Sequence, residues 1–285
     1  FGDGASLSYS AGVLRQATSF GVAQGGADTI ELGAGGGSSD GHKIVVGGFG
    51  ADSITISSVQ GSGASPETAR ERVIAGDNAT VILDANGRLT GFSTLDTDSA
   101  TGGGDIVQLS VSAGSPAVPG LTDLNVVAGG MGGDTLNVSA ANRYVGVVSG
   151  DNLDYRRSDG SAADPNARYR SLFATVLQPF TGGDDSLRLR SGALIDFGGA
   201  GSDRIEESPV AGDTGILFGD AGTVIYAADG SGQLAQINTL ADSSGGNDTV
   251  SAGAGSLYLL GGAGGDVLAA TAASNATRIV LGDTG

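Results

Sequence analysis

Short apolar segments recur along the chain and are separated by turns rich in Gly, Ser, Asn and Asp. Residues 257–260, 267–270 and 278–281 have the length of strands and end at such turns. Because successive side chains of a strand point to opposite faces, each segment can place one set in a narrow interior and the other in water. No segment approaches ~18 consecutive apolar residues, so the pattern predicts short strands and no membrane insertion.

The turns repeat with a long period and divide the chain into four units. A Gly-Asp pair opens each unit and returns near the end of the chain, at successive steps of 74, 74, 69 and 63 residues. Repeats of this length are typical of stacked architectures, in which each unit packs only on its neighbours. We predict one continuous fragment whose exposed last coils need caps or further repeats. Its units are residues 1–75, 76–149, 150–218 and 219–285.

Two further Gly-rich turns follow the Gly-Asp pair in every unit. The last of them reads G-G-x-G-x-D-x-U in all four units, where U is a large apolar residue. The aspartates of these segments are Asp52, Asp134, Asp203 and Asp266, and those of the turn before are Asp28, Asp105, Asp185 and Asp248. The chain therefore resembles the RTX (repeats-in-toxin) family, as found in large bacterial surface adhesins, whose calcium-binding parallel β-roll is built on this nonapeptide.

The resemblance implies an all-β fold, a parallel β-roll or β-helix solenoid with four units of 63 to 74 residues and about three coils each. It also implies type I secretion, a secreted or cell-surface location and folding triggered by external calcium. Two nonapeptides make one coil of such a roll, so the steps of 18 and 17 residues between Asp185, Asp203 and Asp220 place these side chains at one edge. On this interpretation thirteen aspartates line that edge over about twelve coils, in a rod ~55–60 Å long.

Other segments are expected to leave this regular path. Wider steps between the aspartates require loops at the opposite edge, for which residues 35–41, 61–71 and 114–122 are the candidates. Residues 80–95 and 222–239 alternate apolar and polar positions around a Gly-containing pair, which predicts β-hairpins. Each hairpin either protrudes or forms one enlarged coil. We favour the enlarged coil because it leaves no unpaired sheet edge in each unit.

The Gly-Asp-rich turns are candidate calcium sites. Glycine frees the backbone to turn carbonyl oxygens inward, and aspartate adds a hard carboxylate, both of which suit Ca2+. Without a cation, carboxylates stacked ~5 Å apart repel each other. The expected ligands are, in decreasing order, Asp52, Asp134, Asp203 and Asp266, then Asp28, Asp105, Asp185 and Asp248, and last Asp77, Asp151, Asp220 and Asp283.

Two observations limit this prediction. Opposite turns, such as those at residues 254–256 and 274–276, lack aspartate, so we expect at most one row of calcium ions. In the alternative interpretation each aspartate caps its own turn in a metal-free β-helix, and this alternative is strongest for the Gly-Asp turns, including Asp3.

Composition agrees with a cation-binding repeat and excludes some partners. Of the 31 acidic residues 26 are aspartate, and the net charge of −17 argues against nucleic acid, whose binding requires a Lys/Arg surface. Gly supplies 53 residues and Pro only 6, which favours tight turns over a collagen-like chain. There is no cysteine, so disulfides and thiolate metal sites are excluded.

An enzymatic role is not predicted. His42 is the single histidine and is expected to be a solvated loop residue. Asp184-Asp185 and Glu206-Glu207 resemble the carboxylate pair of glycoside hydrolases, but the repeat already accounts for Asp185, and Glu206 and Glu207 alternate faces on a predicted strand.

The predicted function is therefore structural, a calcium-stabilised stalk or spacer of a large surface adhesin, with calcium and neighbouring repeats of the same chain as partners. One alternative is a surface-layer or filament protein that associates with itself. The basic, aromatic stretch 154–170 is either a long surface hairpin or a contact for such association. A second alternative is an RTX segment that assists secretion of a linked toxin or enzyme.

Overall fold

The computed structural model describes the chain in fourteen stretches, and the account below concerns only these. They are residues 1–21, 24–34, 41–60, 70–96, 102–113, 123–141, 144–157, 172–176, 182–190, 192–208, 213–227, 233–240, 244–271 and 276–283. Within them the protein is all-β, with twenty-four strands in three eight-stranded sheets and no helix that could span a membrane.

Two of the sheets are parallel, and the chain alternates between them. The outer sheet consists of β3 (Thr29–Leu32), β5 (Ser53–Val59), β9 (Ile106–Ser112), β11 (Thr135–Ala140), β15 (Ser186–Arg190), β17 (Arg204–Ser208), β21 (Thr249–Ala252) and β23 (Val267–Ala270). The central sheet consists of β4 (Lys43–Val46), β6 (Glu71–Ala75), β10 (Asp123–Ala128), β12 (Tyr144–Ser149), β16 (Ala193–Phe197), β18 (Thr214–Phe218), β22 (Ser256–Gly262) and β24 (Arg278–Asp283).

The third sheet is antiparallel and is built from four hairpins. This hairpin sheet consists of β1 (Ala5–Ser10), β2 (Val13–Ser19), β7 (Ala79–Leu83), β8 (Leu89–Thr94), β13 (Leu153–Arg157), β14 (Leu172–Val176), β19 (Gly222–Tyr226) and β20 (Leu234–Thr239). Each hairpin also pairs with the next one, through β2 and β7, β8 and β13, and β14 and β19. The hairpins therefore form one continuous layer.

Each predicted unit contributes six strands in the same order: a hairpin, then outer, central, outer and central strands. The prediction of about three coils per unit is wrong, because only two strands per unit enter each parallel sheet. The favoured enlarged coil is also wrong, and the hairpins do not protrude, because they bury their apolar face against the central sheet. Eight stacked strands extend over ~34 Å, less than the predicted ~55–60 Å.

The central sheet is buried on both faces. In β10, Val126 packs in the core shared with the hairpin sheet, whereas Val127 packs in the core shared with the outer sheet. Its strands therefore read as nearly continuous apolar runs, as is typical of parallel sheets covered on both sides. Strands of the outer sheet alternate instead, and β9 has buried and exposed side chains in strict succession. The loops predicted at 35–41, 61–71 and 114–122 lie almost entirely outside the described residues.

The three-layer packing predicts that truncating a side chain on one face of the hairpin sheet destabilises the protein, whereas truncating one on the other face does not. Phe92 in β8 is 1% exposed in the core with the central sheet, whereas Ile82 in β7 is 47% exposed on the other face. Phe92→Ala should lower the free energy of unfolding by about 3–5 kcal/mol because it leaves a cavity. Ile82→Ala should change it by less than about 1 kcal/mol. Urea denaturation followed by circular dichroism measures both, and equal small effects would contradict a packed third layer.

Candidate metal centre

An aspartate precedes every strand of the outer sheet by one residue. These eight residues, here called the aspartate ladder, are Asp28, Asp52, Asp105, Asp134, Asp185, Asp203, Asp248 and Asp266. From the second member onward, the Oδ1 atom of each accepts a hydrogen bond from the backbone N–H of the member before it, at 2.6 to 3.1 Å. The carboxylates therefore stack along one edge, one per strand.

The second oxygen of each ladder carboxylate has no hydrogen-bond partner. Within the described residues this holds for buried Oδ2 atoms of Asp52, Asp105, Asp134, Asp185, Asp203, Asp248 and Asp266. Buried carboxylate oxygens are normally hydrogen-bonded, because an unpaired one forfeits its hydration. Because seven equivalent oxygens in one row lack a partner, we infer that they share one cause.

Each unpartnered Oδ2 lies beside a glycine at the end of a central strand. At Gly150, a Cβ atom would lie 1.9 Å from Asp185 Oδ2 and 2.6 Å from the carbonyl oxygen of Gly198, so only glycine fits. The Gly198 carbonyl accepts one backbone hydrogen bond, from Asp151, and keeps its second lone pair. The same crowding recurs at Gly47, where Asp52 Oδ2 faces another glycine carbonyl. Two acceptors thus face each other with no donor between them.

The aspartates of the Gly-Asp turns form a second row of a different kind. Asp3, Asp77, Asp151 and Asp220 each use Oδ2 to accept the backbone N–H of the residue after the Gly-Gly pair in a G-G-x-G-x-D segment. For Asp77 this donor is Met131, at 2.5 Å. The preceding Gly130 has a φ of +119°, which favours glycine, and its missing Cβ leaves space for the Asp77 carboxylate.

These positions revise the predicted single ladder. The four calcium sites ranked first, those of the G-G-x-G-x-D segments, and the four ranked second are structurally equivalent. Each aspartate precedes an outer strand, and the two groups alternate along the aspartate ladder. The Gly-Asp aspartates lie in the second row, one in every two coils. Asp283 belongs to neither row in the described residues, since it lies exposed in β24, opposite Gly262.

Burial dominates the electrostatics of both rows. It raises the pKa from the ordinary value of 3.8 to about 6 for Asp52 and Asp248, about 7 for Asp220, about 8 for Asp105, about 9 for Asp203 and about 10 for Asp77. The pKa values of Asp134 and Asp185 are also raised well above the ordinary range, first by burial and then by neighbouring carboxylates. In every case burial is the largest cause, and backbone hydrogen bonds oppose it.

The residues present suit a hard cation in several respects. Six ladder positions offer a carboxylate oxygen without a partner beside a glycine carbonyl, and Ca2+ prefers oxygen ligands of both kinds. Among the described residues no three His, Cys, Asp or Glu side chains converge as a metal-binding group. A cation at the ladder would therefore take its remaining ligands from backbone carbonyls and water.

The residues weighed for other roles have ordinary contacts. His42 is 43% exposed and precedes β4, as predicted for a solvated loop residue, and its Nδ1 atom accepts the backbone N–H of Glu71 at 3.0 Å. Arg156 pairs with Asp154 on the surface at 2.8 Å, and Arg157 pairs with buried Glu71 at 3.1 Å. The remainder of the basic stretch, residues 158–170, lies outside the described residues.

Several buried acids were not predicted from the sequence. Asp96 is 4% exposed and accepts hydrogen bonds from the backbone and side chain of Asn78, close to the second row. Asp196, Glu207 and Asp213 are 0%, 3% and 1% exposed and lie away from the ladder. None lies at a position that recurs in all four units, so no repeated signal distinguished them.

The raised pKa values predict how stability depends on pH without metal. Because these carboxyls have a higher pKa in the folded chain than in the unfolded chain, their contribution is fully present below about pH 4 and is lost as pH rises through 6 to 9. Metal-free protein should therefore have a higher Tm at pH 5 than at pH 8, and calcium should reduce the difference. Thermal unfolding in metal-free buffers tests this, and a metal-free Tm that is constant or rises with pH would refute it.

Comparison with known proteins assigns no family to the chain. No protein-family model matches it, and no curated protein or solved structure matches it either. The similarity to RTX repeats thus remains a resemblance of the four G-G-x-G-x-D-x-U segments, and what it implies about calcium and secretion is treated as a proposal.

Proposed function

We propose that this chain is a calcium-stabilised structural repeat region, serving as a stalk or spacer in a large bacterial surface adhesin of the RTX type. The observation that carries the proposal is the row of seven buried Oδ2 atoms that have no hydrogen-bond partner, six of which lie beside a glycine carbonyl. A buried carboxylate oxygen in such a row is destabilising unless a proton or a cation lies beside it.

A β-solenoid is the architecture that fits this role. The chain passes between the outer and central sheets in regular alternation, and successive strands of each sheet are parallel. We interpret each outer-to-central passage as one coil, with the hairpin sheet as a third layer added once per two coils. The stacking supports a rod whose length grows with the number of units, as a stalk requires.

Calcium can neutralise the whole ladder at pH 7, whereas protons neutralise only part of it. Burial and repulsion between carboxylates raise the pKa of Asp105 to about 8 and of Asp203 to about 9, which favours protons beside the facing glycine carbonyls. The pKa of Asp52 and of Asp248 is raised only to about 6, so these two are ionised at pH 7. A divalent cation neutralises two carboxylates at once and uses the same carbonyl oxygens as ligands. A chain that folds only where calcium is abundant is suited to export and to assembly outside the cell, which agrees with the secreted or surface location implied by the resemblance.

Two neighbouring aspartates provide a matched test of calcium at the ladder. Asp185 is a ladder member, whereas Asp184 is exposed and accepts the backbone N–H of Ser202. Asp185→Asn keeps the acceptor for the backbone N–H of Asp134 but turns an amide NH2 group toward the Gly198 carbonyl. In calcium it should lower the Tm and the number of bound ions, and without calcium it should raise the Tm at pH 7.

Asp184→Asn is the control and should change neither quantity, because its side chain lies in water. Calorimetric titration with Ca2+ and thermal unfolding measure the two effects. A wild-type protein that binds no calcium, or an Asp185→Asn variant that is destabilised equally with and without calcium, would sink the proposal and favour aspartates that only cap turns.

Small-angle scattering separates a stalk from its alternatives. A stalk should be an elongated monomer in calcium and expand on addition of a chelator as it unfolds. A surface-layer or filament protein should instead associate as calcium is added, with a scattering mass that rises with protein concentration. A chain that stays folded and monomeric in chelator would contradict the calcium dependence in both cases.

A further inference from the structure

The core between the outer and central sheets contains two carboxylates that the repeat does not explain. Asp196 lies in β16 and Glu207 lies in β17. Leu194 and Ile205, each two residues earlier in the same strand, belong to the apolar core between these sheets, and residues two apart share a face of a strand. Both acids therefore point into that core, where they are 0% and 3% exposed.

Each of the two acids interrupts a cross-strand row that is otherwise aliphatic. The row through Asp196 contains Val45, Ile74, Val127, Val148, Leu217, Leu259 and Val280. The row through Glu207 contains Leu32, Ile56, Leu109, Val138, Leu189, Ala252 and Ala270. The stacking of coils thus has no need of a carboxylate at either place, and both changes occur in the third unit.

Neither acid is satisfied by the described part of the protein. Both oxygens of Asp196 and both oxygens of Glu207 are buried without a hydrogen-bond donor. The two side chains are close enough for the charge of Glu207 to be, after burial, the second cause that raises the pKa of Asp196 well above its ordinary value. Four acceptor atoms thus lie in this part of the core without a donor.

The first and second units together show how this part of the core is neutralised elsewhere. There the buried Arg72 pairs with the buried Asp123 at 3.0 Å. Arg72 and Asn125 occupy the same cross-strand row as Gly215 of the third unit, and Asp213 stands two residues before Gly215 as Asp123 stands before Asn125.

In the third unit, glycine takes the place of the arginine and an acid approaches it. Glu207 Oε2 lies 2.3 Å from the position that a Cβ atom would take at Gly215. The charge of Asp213 acts on Glu207 and, after burial, is the second cause that raises the pKa of Glu207 to about 8. The third unit thus keeps carboxylates in this region, and within its described residues no side-chain cation bonds Asp196 or Glu207.

We propose that Asp196 and Glu207 bind a hard divalent cation between the outer and central sheets, at a site separate from the aspartate ladder. Two carboxylates carry two negative charges, which one divalent ion neutralises, and oxygen-only ligands select Ca2+ over softer metals. Asp213 adds negative charge beside Glu207. The ion replaces Arg72 of the first unit, and it ties a central strand to an outer strand across the core.

Calcium stoichiometry of the full chain tests this site. Asp196→Val with Glu207→Leu restores the aliphatic rows, in which Val148 and Leu189 are the adjacent residues. This double variant should bind one Ca2+ fewer than wild type by native mass spectrometry at saturating calcium. It should also have a higher Tm than wild type without calcium, because two unpaired buried acids are removed.

Glu207→Gln keeps the volume of the side chain and should also lose one ion, so it is informative if the double variant does not fold. Unchanged stoichiometry in either folded variant would overturn the site and indicate protonated carboxyls. The result is independent of the ladder. Loss of one ion in a protein whose stoichiometry is unaffected by Asp185→Asn would support this site while contradicting calcium at the ladder.

Discussion

Stacked, buried carboxylates at one edge are the constraint on which the rest of this structure depends. Each ladder aspartate must place Oδ1 against the N–H of its neighbour and Oδ2 against the end of a central strand. Outer strands therefore begin immediately after aspartate, and central strands end at glycine, because a Cβ atom there would collide with Oδ2. The connections from an outer strand to the next central strand vary in length, from 2 residues between β15 and β16 to 11 between β5 and β6.

The apolar packing is organised around the central sheet. Its two faces supply two cores at once, so its inner strands have no solvent-facing side. Four charged side chains are nevertheless buried in these strands, Glu71, Arg72, Asp123 and Asp196. Arg72 and Asp196 face the outer sheet. A buried charge is tolerated there only when a counter-charge accompanies it. Arg72 of the first unit pairs with Asp123 of the second, and the third unit requires another source.

Much of the fold could be predicted from the sequence, because turns and repeats are local signals. The Gly-Asp turns fixed the unit length, and Asn86-Gly87 marked a hairpin that forms as β7 and β8. The third layer could not be predicted, because alternation shows that a hairpin buries one face but not which surface covers it. The two aspartate rows were merged for a similar reason, since spacing along the chain does not separate Asp77 from Asp52 in space.

Each unit adds two strands to each of the three sheets, and this equal number restricts how such a protein can change its length. Unit lengths differ, yet every unit adds the same rise to each layer. A duplication of one outer and one central strand would lengthen the two parallel sheets without lengthening the hairpin sheet by the same amount, and the three layers would no longer match. The protein can therefore lengthen or shorten only by whole units, and its natural increment is about 10 Å, the rise of two strands.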